Sequence, residues 1–172
     1  MSDVAKALWT PTGESIANSR MNRFAQMVNE SGDLHAWSIN QPEQFWSLVW
    51  DDCGVIGHKG ERSFIAAQPG APMSTARFFP DAALSVVENM LATTGDGEAL
   101  VAIDEAGNRR SRSWDELRKR VSSIASALQA RGVVAGDRVV AWFPNSIEAI
   151  EVMLGAASIG ATVSLFAGAA AG

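Results

Sequence analysis

Residues 138–166 predict two β-strands joined by one helix, and this short unit constrains the fold more than any other part of the chain. The predicted strands are residues 138–143, which are apolar after Arg138, and the short apolar run 161–166. Residues 146–159 between them carry apolar side chains at helical spacing. Such a βαβ unit has parallel strands and a right-handed crossover. Parallel strands are usually buried on both faces. The sequence therefore predicts an α/β fold with a buried parallel sheet.

A β-hairpin and a long helix are predicted directly before this unit. Residues 99–103 and 109–113 have the pattern of two strands joined by the turn 104–108, and the second strand is basic, so we expect it to be exposed. Residues 117–128 then repeat apolar side chains at helical spacing. Hairpin, helix and βαβ unit follow one another without a long linker.

Several helix ends carry local signals in the sequence. Ser113 and Glu116 form a capping box at the start of the long helix, and Gly132 is its expected stop. Asn145 and Glu148 are a second candidate capping box, for the helix over residues 146–159.

The first half of the chain is predicted to be mainly helical. Residues 14–29 form one amphipathic helix with Gly32 as its stop, and residues 41–52 form another with Asn40 as its capping residue. A further helix is expected over residues 81–91, with an acidic residue, Asp81, at its start.

Residues 54–80 are predicted to be connecting structure. Glycine and proline recur through this stretch, and apolar runs occur only at residues 64–67 and 78–79. We therefore expect loops with short extended pieces.

Composition excludes several classes of protein. The chain has 172 residues with 14 Lys and Arg against 19 Asp and Glu, so its net charge of −5 argues against a nucleic-acid partner. Its one cysteine, Cys53, cannot form an internal disulfide, which favours a reducing compartment. No secretory signal pattern opens the sequence. A cytoplasmic location is expected.

Residues 152–172 carry no charge and must be weighed as a membrane span. Glycine, threonine and serine interrupt the stretch, so the end of a helix followed by a buried strand is the favoured interpretation, and no membrane partner is expected. Residues 167–172 are expected to be a frayed Ala/Gly tail.

Three local patterns resemble reactive or phosphate-binding sites, but each lacks necessary parts. Residues 54–60 contain glycines and Lys59 without Walker spacing, and residues 93–97 resemble a phosphate loop without a following lysine. Cys53 and His58 lack the third group that orients a nucleophilic pair, so Cys53 is expected to be a small buried hydrophobic residue. We interpret both glycine segments as turns, and no catalytic, cofactor-binding or metal residue is assigned.

The densest basic cluster has two open interpretations. It could meet an anionic ligand such as a nucleotide tail, or it could be a solvated strand edge and helix face, which we favour. Its members are Arg109, Arg110, Arg112, Arg118, Lys119 and Arg120. The tryptophans that crowd the first fifty positions are likewise either a ligand platform or, as we favour, packing anchors.

Two groups of motifs resemble the adenylate-forming acyl-CoA synthetases over about residues 8–164. The first group resembles the early part of the large domain of that family and consists of residues 113–117 (Ser-Trp-Asp-Glu-Leu), 127–132, 136–140, 144–145 and 155–160. The second group resembles the N-terminal region of the acetyl-CoA synthetase branch and consists of residues 8–11 (Leu-Trp-Thr-Pro), 45–50 with Gly54, 78–81 and 88–91. Within this branch the likeness is greatest to the enzymes that activate acetoacetate.

The resemblance implies a domain organisation and a chemistry. Residues 1–80 would be the N-terminal region, residues 81–166 the incomplete beginning of the AMP-binding domain, and residues 167–172 a tail. The full-length relative would use ATP, Mg²⁺ and coenzyme A to convert a short acid such as acetoacetate to its CoA thioester, through an acyl-adenylate. The site must bring a carboxylate to a phosphate, so it needs Mg²⁺, a phosphate-cradling loop and a lysine.

The motifs that carry this chemistry in the family have no match in the sequence, so none of its catalytic or ATP-binding residues is carried over. After residue 164 the sequence departs from the family pattern, as a truncation, a frameshift or a gene fragment would explain. We therefore expect an N-terminal fragment that is not catalytic by itself. The alternative is a non-enzymatic interaction or regulatory module completed by another chain, with self-association through an uncovered sheet edge.

Overall fold

The computed structural model describes residues 7–28 and 33–167, and the chain divides into two compact units, residues 1–83 and residues 84–172. The first unit combines short helices with a small antiparallel sheet of two strands, β1 and β2, which pair Phe64 with Phe78. Its helices are α1 (Gly13–Ala17), α2 (Arg20–Val28), α3 (Leu34–Asn40) and α4 (Pro42–Asp52), and its strands are β1 (Phe64–Ile65) and β2 (Arg77–Phe78).

The single helix predicted over residues 14–29 is wrong, because the chain breaks into α1 and α2 between Asn18 and Ser19. The hydroxyl of Ser19 accepts the backbone N–H of Asn22 at 3.1 Å and so caps the first turn of a new helix. Local serine capping therefore outweighs the continuous apolar pattern. Residue 29 and the predicted stop at Gly32 lie outside the described residues.

Helix α3 was not predicted from the sequence. The carboxylate of Asp33 accepts the backbone N–H groups of His35 at 2.9 Å and Ala36 at 3.3 Å, which starts the helix. Because α3 continues to Asn40, this residue cannot cap α4, and the expected cap is wrong. The helix over residues 41–52 is confirmed to within one residue, with Gln41 at its N-cap.

Aromatic rings connect the elements of the first unit. The ring of Phe45 lies edge-on to Phe24 at 5.9 Å, Trp37 at 6.0 Å and Trp46 at 5.1 Å. Trp46 continues the series to Phe78 at 5.1 Å. Edge-to-face contacts of this kind are favourable for aromatic pairs. The interpretation of these tryptophans as packing anchors is confirmed for Trp37 and Trp46.

Residues 54–80 are confirmed as loops with short extended pieces. Arg62 binds Asp81 through two hydrogen bonds of 3.0 Å, and His58 pairs with Ala83 in an antiparallel bridge. A side chain at Gly60 would lie 2.8 Å from the Cβ of Asp81, so the two segments approach closely. This anchoring explains why the helix predicted over residues 81–91 is wrong at its start.

The second unit begins with a short helix, α5 (Val86–Met90), which starts at Ser85 rather than at Asp81. The hydroxyl of Ser85 accepts the backbone N–H of Glu88 at 3.2 Å. The elements that follow are β3 (Glu98–Ile103), β4 (Arg109–Ser113), α6 (Trp114–Gln129), β5 (Arg138–Phe143), α7 (Ile147–Ser158) and β6 (Thr162–Ala167). Strands β3 and β4 form the predicted antiparallel hairpin, and β5 and β6 form the predicted parallel pair.

Both predicted signals at the ends of α6 are confirmed. Ser113 and Glu116 exchange hydrogen bonds of 3.2 Å and 2.9 Å as a capping box. At the other end Gly132 has a φ of +86° and donates to Gln129, while Val133 donates to Leu128. These two bonds form a Schellman motif, which needs a residue in the left-handed region.

The capping box predicted for α7 is wrong. The N-cap of α7 is Ser146 rather than Asn145, and its side chain makes no capping hydrogen bond. The carboxylate of Glu148 is bound instead by Arg110, at 2.9 Å and 3.1 Å. A guanidinium offers two charge-assisted bonds where a backbone amide offers one. The helix itself is confirmed to within one residue at each end.

The core of the second unit lies between its helices. Val87, Leu117, Val121 and Leu154 are buried in one cluster. Helices α6 and α7 approach so closely that a Cβ added at Gly155 would lie 2.6 Å from Cγ2 of Ile124. Glycine is therefore required at this point of α7.

The expectation of a buried strand over residues 161–166 is wrong, because most of β6 is exposed and the sheet is covered on one side only. Helix α7 contacts β5 and β6, and Ala141 and Ala161 are buried. The residues that alternate with Ala141, namely Val140 and Trp142, are exposed. The stretch from residue 152 is confirmed as a helix end plus a strand, and residues 168–172 lie outside the described part. No helix within residues 7–28 and 33–167 is long and apolar enough to cross a membrane.

Candidate functional site

The candidate thiol and imidazole do not form a recognisable catalytic group. Cys53 lies at the C-terminal end of α4 and is exposed, so the expectation of a buried cysteine is wrong. The backbone of His58 exchanges hydrogen bonds of 2.8 Å and 2.9 Å with Ala83, so His58 contributes to the structure of the loop region through its main chain. Within the part of the chain that the structure describes, no cluster of three or more His, Cys, Asp or Glu residues could hold a metal ion.

The glycine-rich segment 54–60 is a loop in which the lysine is already paired. Gly54, Gly57 and Gly60 have positive φ angles of 62°, 153° and 77°. The ammonium of Lys59 lies 2.8 Å from Oδ2 of Asp51. A phosphate would have to compete with this carboxylate, so the interpretation of the segment as a turn is supported.

The segment 93–97 also uses its backbone within the protein. The N–H of Gly95 donates to Oδ1 of Asp115 at 2.9 Å, and the N–H of Asp115 donates to the carbonyl of Gly95 at 3.1 Å. A phosphate loop presents free N–H groups to its ligand, whereas this amide is bound to a carboxylate. The two bonds tie the turn to the start of α6.

The arginines of β4 are engaged by glutamates rather than arranged around an open anion site. Arg109 binds Glu98 of β3 at 2.8 Å and 2.6 Å, and Arg110 binds Glu148 of α7. These guanidinium hydrogen bonds lower the pKa of Glu98 and of Glu148 from 4.5 to about 2. The basic strand is thus charge-compensated. The favoured interpretation as a solvated strand edge is supported for Arg109 and Arg110, whose side chains are 51% and 55% exposed.

The third ion pair, between Arg112 and Glu151, is more buried than the pairs of Arg109 and Arg110. Nε of Arg112 donates to Oε1 of Glu151 at 2.9 Å, and the Glu151 side chain is 5% exposed. Such a pair must be kept intact because a single buried charge is costly. Together with Arg110 and Glu148 it connects the hairpin to α7. Arg118 donates to the carbonyl of Leu91 and so holds α5 against α6.

One side of the parallel sheet in the second unit is exposed and mainly apolar. We call it the bare face and define it as Val140, Trp142, Ser164 and Phe166. The register pairs Val140 with Ser164 and Trp142 with Phe166. Val140 is 66% exposed, Trp142 78% and Phe166 57%. The sequence does not show which side of the sheet is open, because every position of β5 after Arg138 is apolar and no alternation marks the open side.

An apolar groove of about 400 Å³ lies in the first unit. Its lining includes Met21, Phe24, Phe45 and Val49 from α2 and α4. Arg20 and Asp52, which form an ion pair of 3.7 Å, also line it. The groove has the apolar lining of a packing or docking surface and lacks the convergent polar groups of a reaction site.

Comparison with known proteins shows which class of protein this chain is similar to. Residues 87–167, which include the bare face, match the family model described as AMP-binding enzyme. A solved acetoacetyl-CoA synthetase from Streptomyces lividans superposes with a TM-score of 0.77 and 32% identity, covering 95% of this chain and 27% of that one. The α/β fold is therefore that of the N-terminal part of an adenylate-forming enzyme.

Sequence relatives narrow this class further. An acetoacetyl-coenzyme A synthetase of Rhizobium meliloti is 40% identical over 164 residues, covering 91% of this chain and 25% of the relative. An acetoacetyl-CoA synthetase of Danio rerio is 34% identical over 167 residues, with 91% and 24% covered. The chain is homologous to the N-terminal region of acetoacetyl-CoA synthetases, and it spans about a quarter of the length of these relatives.

Proposed function

We propose that the chain is the N-terminal part of a ligase that joins acetoacetate to coenzyme A. In the whole enzyme, the carboxylate of acetoacetate attacks the α-phosphorus of ATP, which forms acetoacetyl-adenylate and releases pyrophosphate. The thiol of coenzyme A then attacks the acyl carbon, which forms the thioester and releases AMP and a proton. The observation that carries the proposal is the 40% identity over 91% of the chain.

The described residues of this chain do not fit ATP or Mg²⁺. Lys59 is bound to Asp51, and the amide of Gly95 is bound to Asp115, so both candidate phosphate loops are occupied by carboxylates. The arginines of β4 are likewise bound to glutamates. No step of the reaction is therefore assigned to these residues, and their role is to build the first part of the domain.

The same proposal includes the organisation and location of the protein. Residues 1–80 form the N-terminal region of the ligase, and residues 81–166 form the beginning of its AMP-binding domain. Acetoacetate is the acid, with ATP, Mg²⁺ and coenzyme A as the other reactants, and the enzyme works in the cytoplasm. The alternative of a non-enzymatic interaction or regulatory module is supported by neither the contacts described above nor the relatives.

A chimeric ligase tests this proposal. Residues 8–164 replace the matching N-terminal segment of the Rhizobium meliloti acetoacetyl-CoA synthetase, and AMP release is measured with acetoacetate, ATP, Mg²⁺ and coenzyme A. We expect the chimera to form AMP only when acetoacetate is present, and the chain alone to form none. The unchanged Rhizobium enzyme is the positive control.

Two results would contradict the proposal. A folded chimera without acetoacetate-dependent AMP release would show that this N-terminal part does not serve such a ligase. AMP release by the chain alone would show that it carries catalytic residues after all. The intact mass of the gene product from its own source adds a direct check, since a mass well above 18.3 kDa is expected for the ligase.

A further inference from the structure

We propose that Asp96 and Gly97 are a site of spontaneous covalent modification, at which the main chain rearranges through a cyclic imide to isoaspartate. The two residues lie in the turn directly before β3, and they are the one Asp-Gly pair in the 172-residue sequence. The rearrangement needs neither a ligand nor an enzyme, so it is independent of the proposed function.

The first step closes a ring between the two residues. The main-chain nitrogen of Gly97 forms a bond to the side-chain carboxyl carbon of Asp96, and one carboxyl oxygen leaves as water with the amide proton and a carboxyl proton. Water then adds to a carbonyl carbon of the ring. Cleavage of the bond between the ring nitrogen and the former main-chain carbonyl carbon leaves the chain running through the Asp96 side chain, which is isoaspartate. The water lost in the first step is regained in the second, and nothing is oxidised or reduced.

Both reacting groups are free in the part of the chain that the structure describes. Asp96 and Gly97 are exposed. Among residues 7–28 and 33–167, the carboxylate of Asp96 has no hydrogen-bond or ion-pair partner, and the N–H of Gly97 donates to no acceptor. The nitrogen therefore gives up no hydrogen bond when it attacks. Glycine also has no Cβ to hinder the approach of its nitrogen to the carboxyl carbon.

Asp104, in the turn of the β3–β4 hairpin, has the opposite arrangement. Its Oδ1 accepts the backbone N–H of Asn108 at 2.8 Å, and its Oδ2 accepts Nδ2 of the same residue at 2.9 Å. Both carboxylate oxygens are thus engaged, and the nitrogen that would attack belongs to Glu105, which carries a side chain. We therefore expect Asp96 to rearrange and Asp104 to remain unchanged.

The modification has a structural consequence, because both neighbours of Asp96 are attached to the start of α6. Gly95 exchanges hydrogen bonds of 2.9 Å and 3.1 Å with Asp115, and the carbonyl of Gly97 accepts the N–H of Trp114 at 3.1 Å. Isoaspartate adds one methylene group to the main chain between these two attachments. The longer segment does not fit their present spacing, so the first turn of α6 should lose protection.

Ageing of the 172-residue chain at neutral pH tests the proposal. Cleavage after glutamate gives residues 89–98, with Asp96, and residues 99–105, with Asp104, as separate peptides. Isoaspartate is detected by chromatographic separation of the isomeric peptides and by labelling with a protein isoaspartate methyltransferase, and the cyclic imide by a mass lower by one water molecule. We expect isoaspartate to form several-fold faster at Asp96 than at Asp104.

Two results of this experiment would overturn the inference. One is the absence of isoaspartate at residue 96 of the aged, folded chain, which would be most informative if a synthetic peptide of residues 89–98 forms it under the same conditions. The other is formation at equal rates at residues 96 and 104, which would show that the free carboxylate and amide do not decide the site.

Gly97→Ala is the matched variant. Its Cβ would lie 3.9 Å from Cδ1 of Trp114, which is an ordinary contact, so the variant should fold as the original chain does. The added methyl group hinders the attacking nitrogen and should slow isoaspartate formation several-fold. Gly13→Ala, at a glycine with open space around it, is the control and should leave the rate unchanged. An undiminished rate in Gly97→Ala would contradict the proposed attack by this nitrogen.

Amide hydrogen exchange tests the structural consequence. In the fraction of the aged chain that contains isoaspartate, the amides of Trp114 and Asp115 should exchange several-fold faster than in the fresh chain, because their acceptors lie on either side of the lengthened segment. Unchanged exchange at both amides would contradict the predicted loss of attachment. These measurements do not involve AMP release, so their outcome is separate from that of the proposed function.

Discussion

The two units of this protein are stabilised by different kinds of contact. In residues 84–172, Val87, Leu117, Val121 and Leu154 are buried together, and α6 and α7 pack closely at Gly155. In residues 1–83, among the described side chains, Trp50 is the apolar one that is buried. The second unit thus has a core of its own, whereas the first is connected by half-buried aromatic rings and by surface ion pairs.

This difference shows that elements close together in the sequence can form a buried core by themselves. Helices α6 and α7 are separated in the chain by β5 alone, so they can bury apolar side chains against each other without a partner far away in the sequence. The aromatic residues of the first unit contact one another edge-to-face, yet their outer edges remain in water. We expect the second unit to open at a higher free energy than the first, as measured by amide hydrogen exchange.

The largest effect is expected in the core of the second unit. Leu154→Ala should lower the free energy of unfolding of that unit by about 3 kcal/mol, because it removes a side chain that is 2% exposed and leaves a cavity. Urea unfolding followed by circular dichroism measures the change. Leu84→Ala, at an exposed position of the same unit, is the control, and a similar loss for both variants would contradict the buried core.

The next effect concerns the ion pair that joins the hairpin to α7. Glu151→Ala should cost about 2 kcal/mol, because the guanidinium of Arg112 loses its charged partner in a poorly solvated place. Glu98→Ala removes an exposed pair and should produce no measurable change. If the two variants unfold at the same urea concentration, burial does not distinguish these pairs.

A smaller effect is expected in the aromatic series of the first unit. Phe45→Leu should cost about 1 kcal/mol, since it retains an apolar side chain but loses the edge-to-face contacts with Phe24, Trp37 and Trp46. Faster amide exchange confined to α2, α3 and α4 would show it. Ile16→Leu, at an exposed position of α1, is the control. Faster exchange in α6 would mean that the two units are not independent.

The smallest effect is a dependence on acid. The pKa of Glu148 is lowered from 4.5 to about 2 by its hydrogen bonds with Arg110, so the pair contributes stability above the unfolded pKa. That contribution is lost as the pH falls from about 4.5 to about 2. The protection factors of the β4 amides, which correct for the intrinsic pH dependence of exchange, should fall as the pH is lowered over this range, and Glu148→Gln should remove this pair's part of the change. Arg62 lowers the pKa of Asp81 in the first unit, which predicts the same sign there.

Much of the second unit could be predicted from the sequence because its signals are local. The capping box of Ser113 and Glu116 and the left-handed Gly132 each act within a few residues, and α6 forms where they place it. The capping box of α7 was mispredicted because Glu148 binds Arg110, which lies 38 residues away in the chain. Capping patterns carry no information about such distant partners.

The first unit was predicted less well for the same physical reason. Asp81 resembles the start of a helix, but Arg62 holds it in a loop. Ser19 divides one apolar pattern into two helices, and Asp33 starts a helix whose apolar spacing is weak. The bare face could not be predicted either, because Val139, Val140, Ala141 and Trp142 are all apolar and only the packing of α7 decides which of them are buried.

The pairing of Arg112 with Glu151 has a consequence for how this sequence can diverge. Each residue is tolerable in its surroundings only while the other is present, so a lineage that loses one charge comes under selection to lose the other. The two positions, 39 residues apart, are therefore expected to vary together among homologues, as charged pairs or as apolar pairs. Aligned homologues in which one of the two positions often keeps its charge while the other is apolar would argue against this coupling.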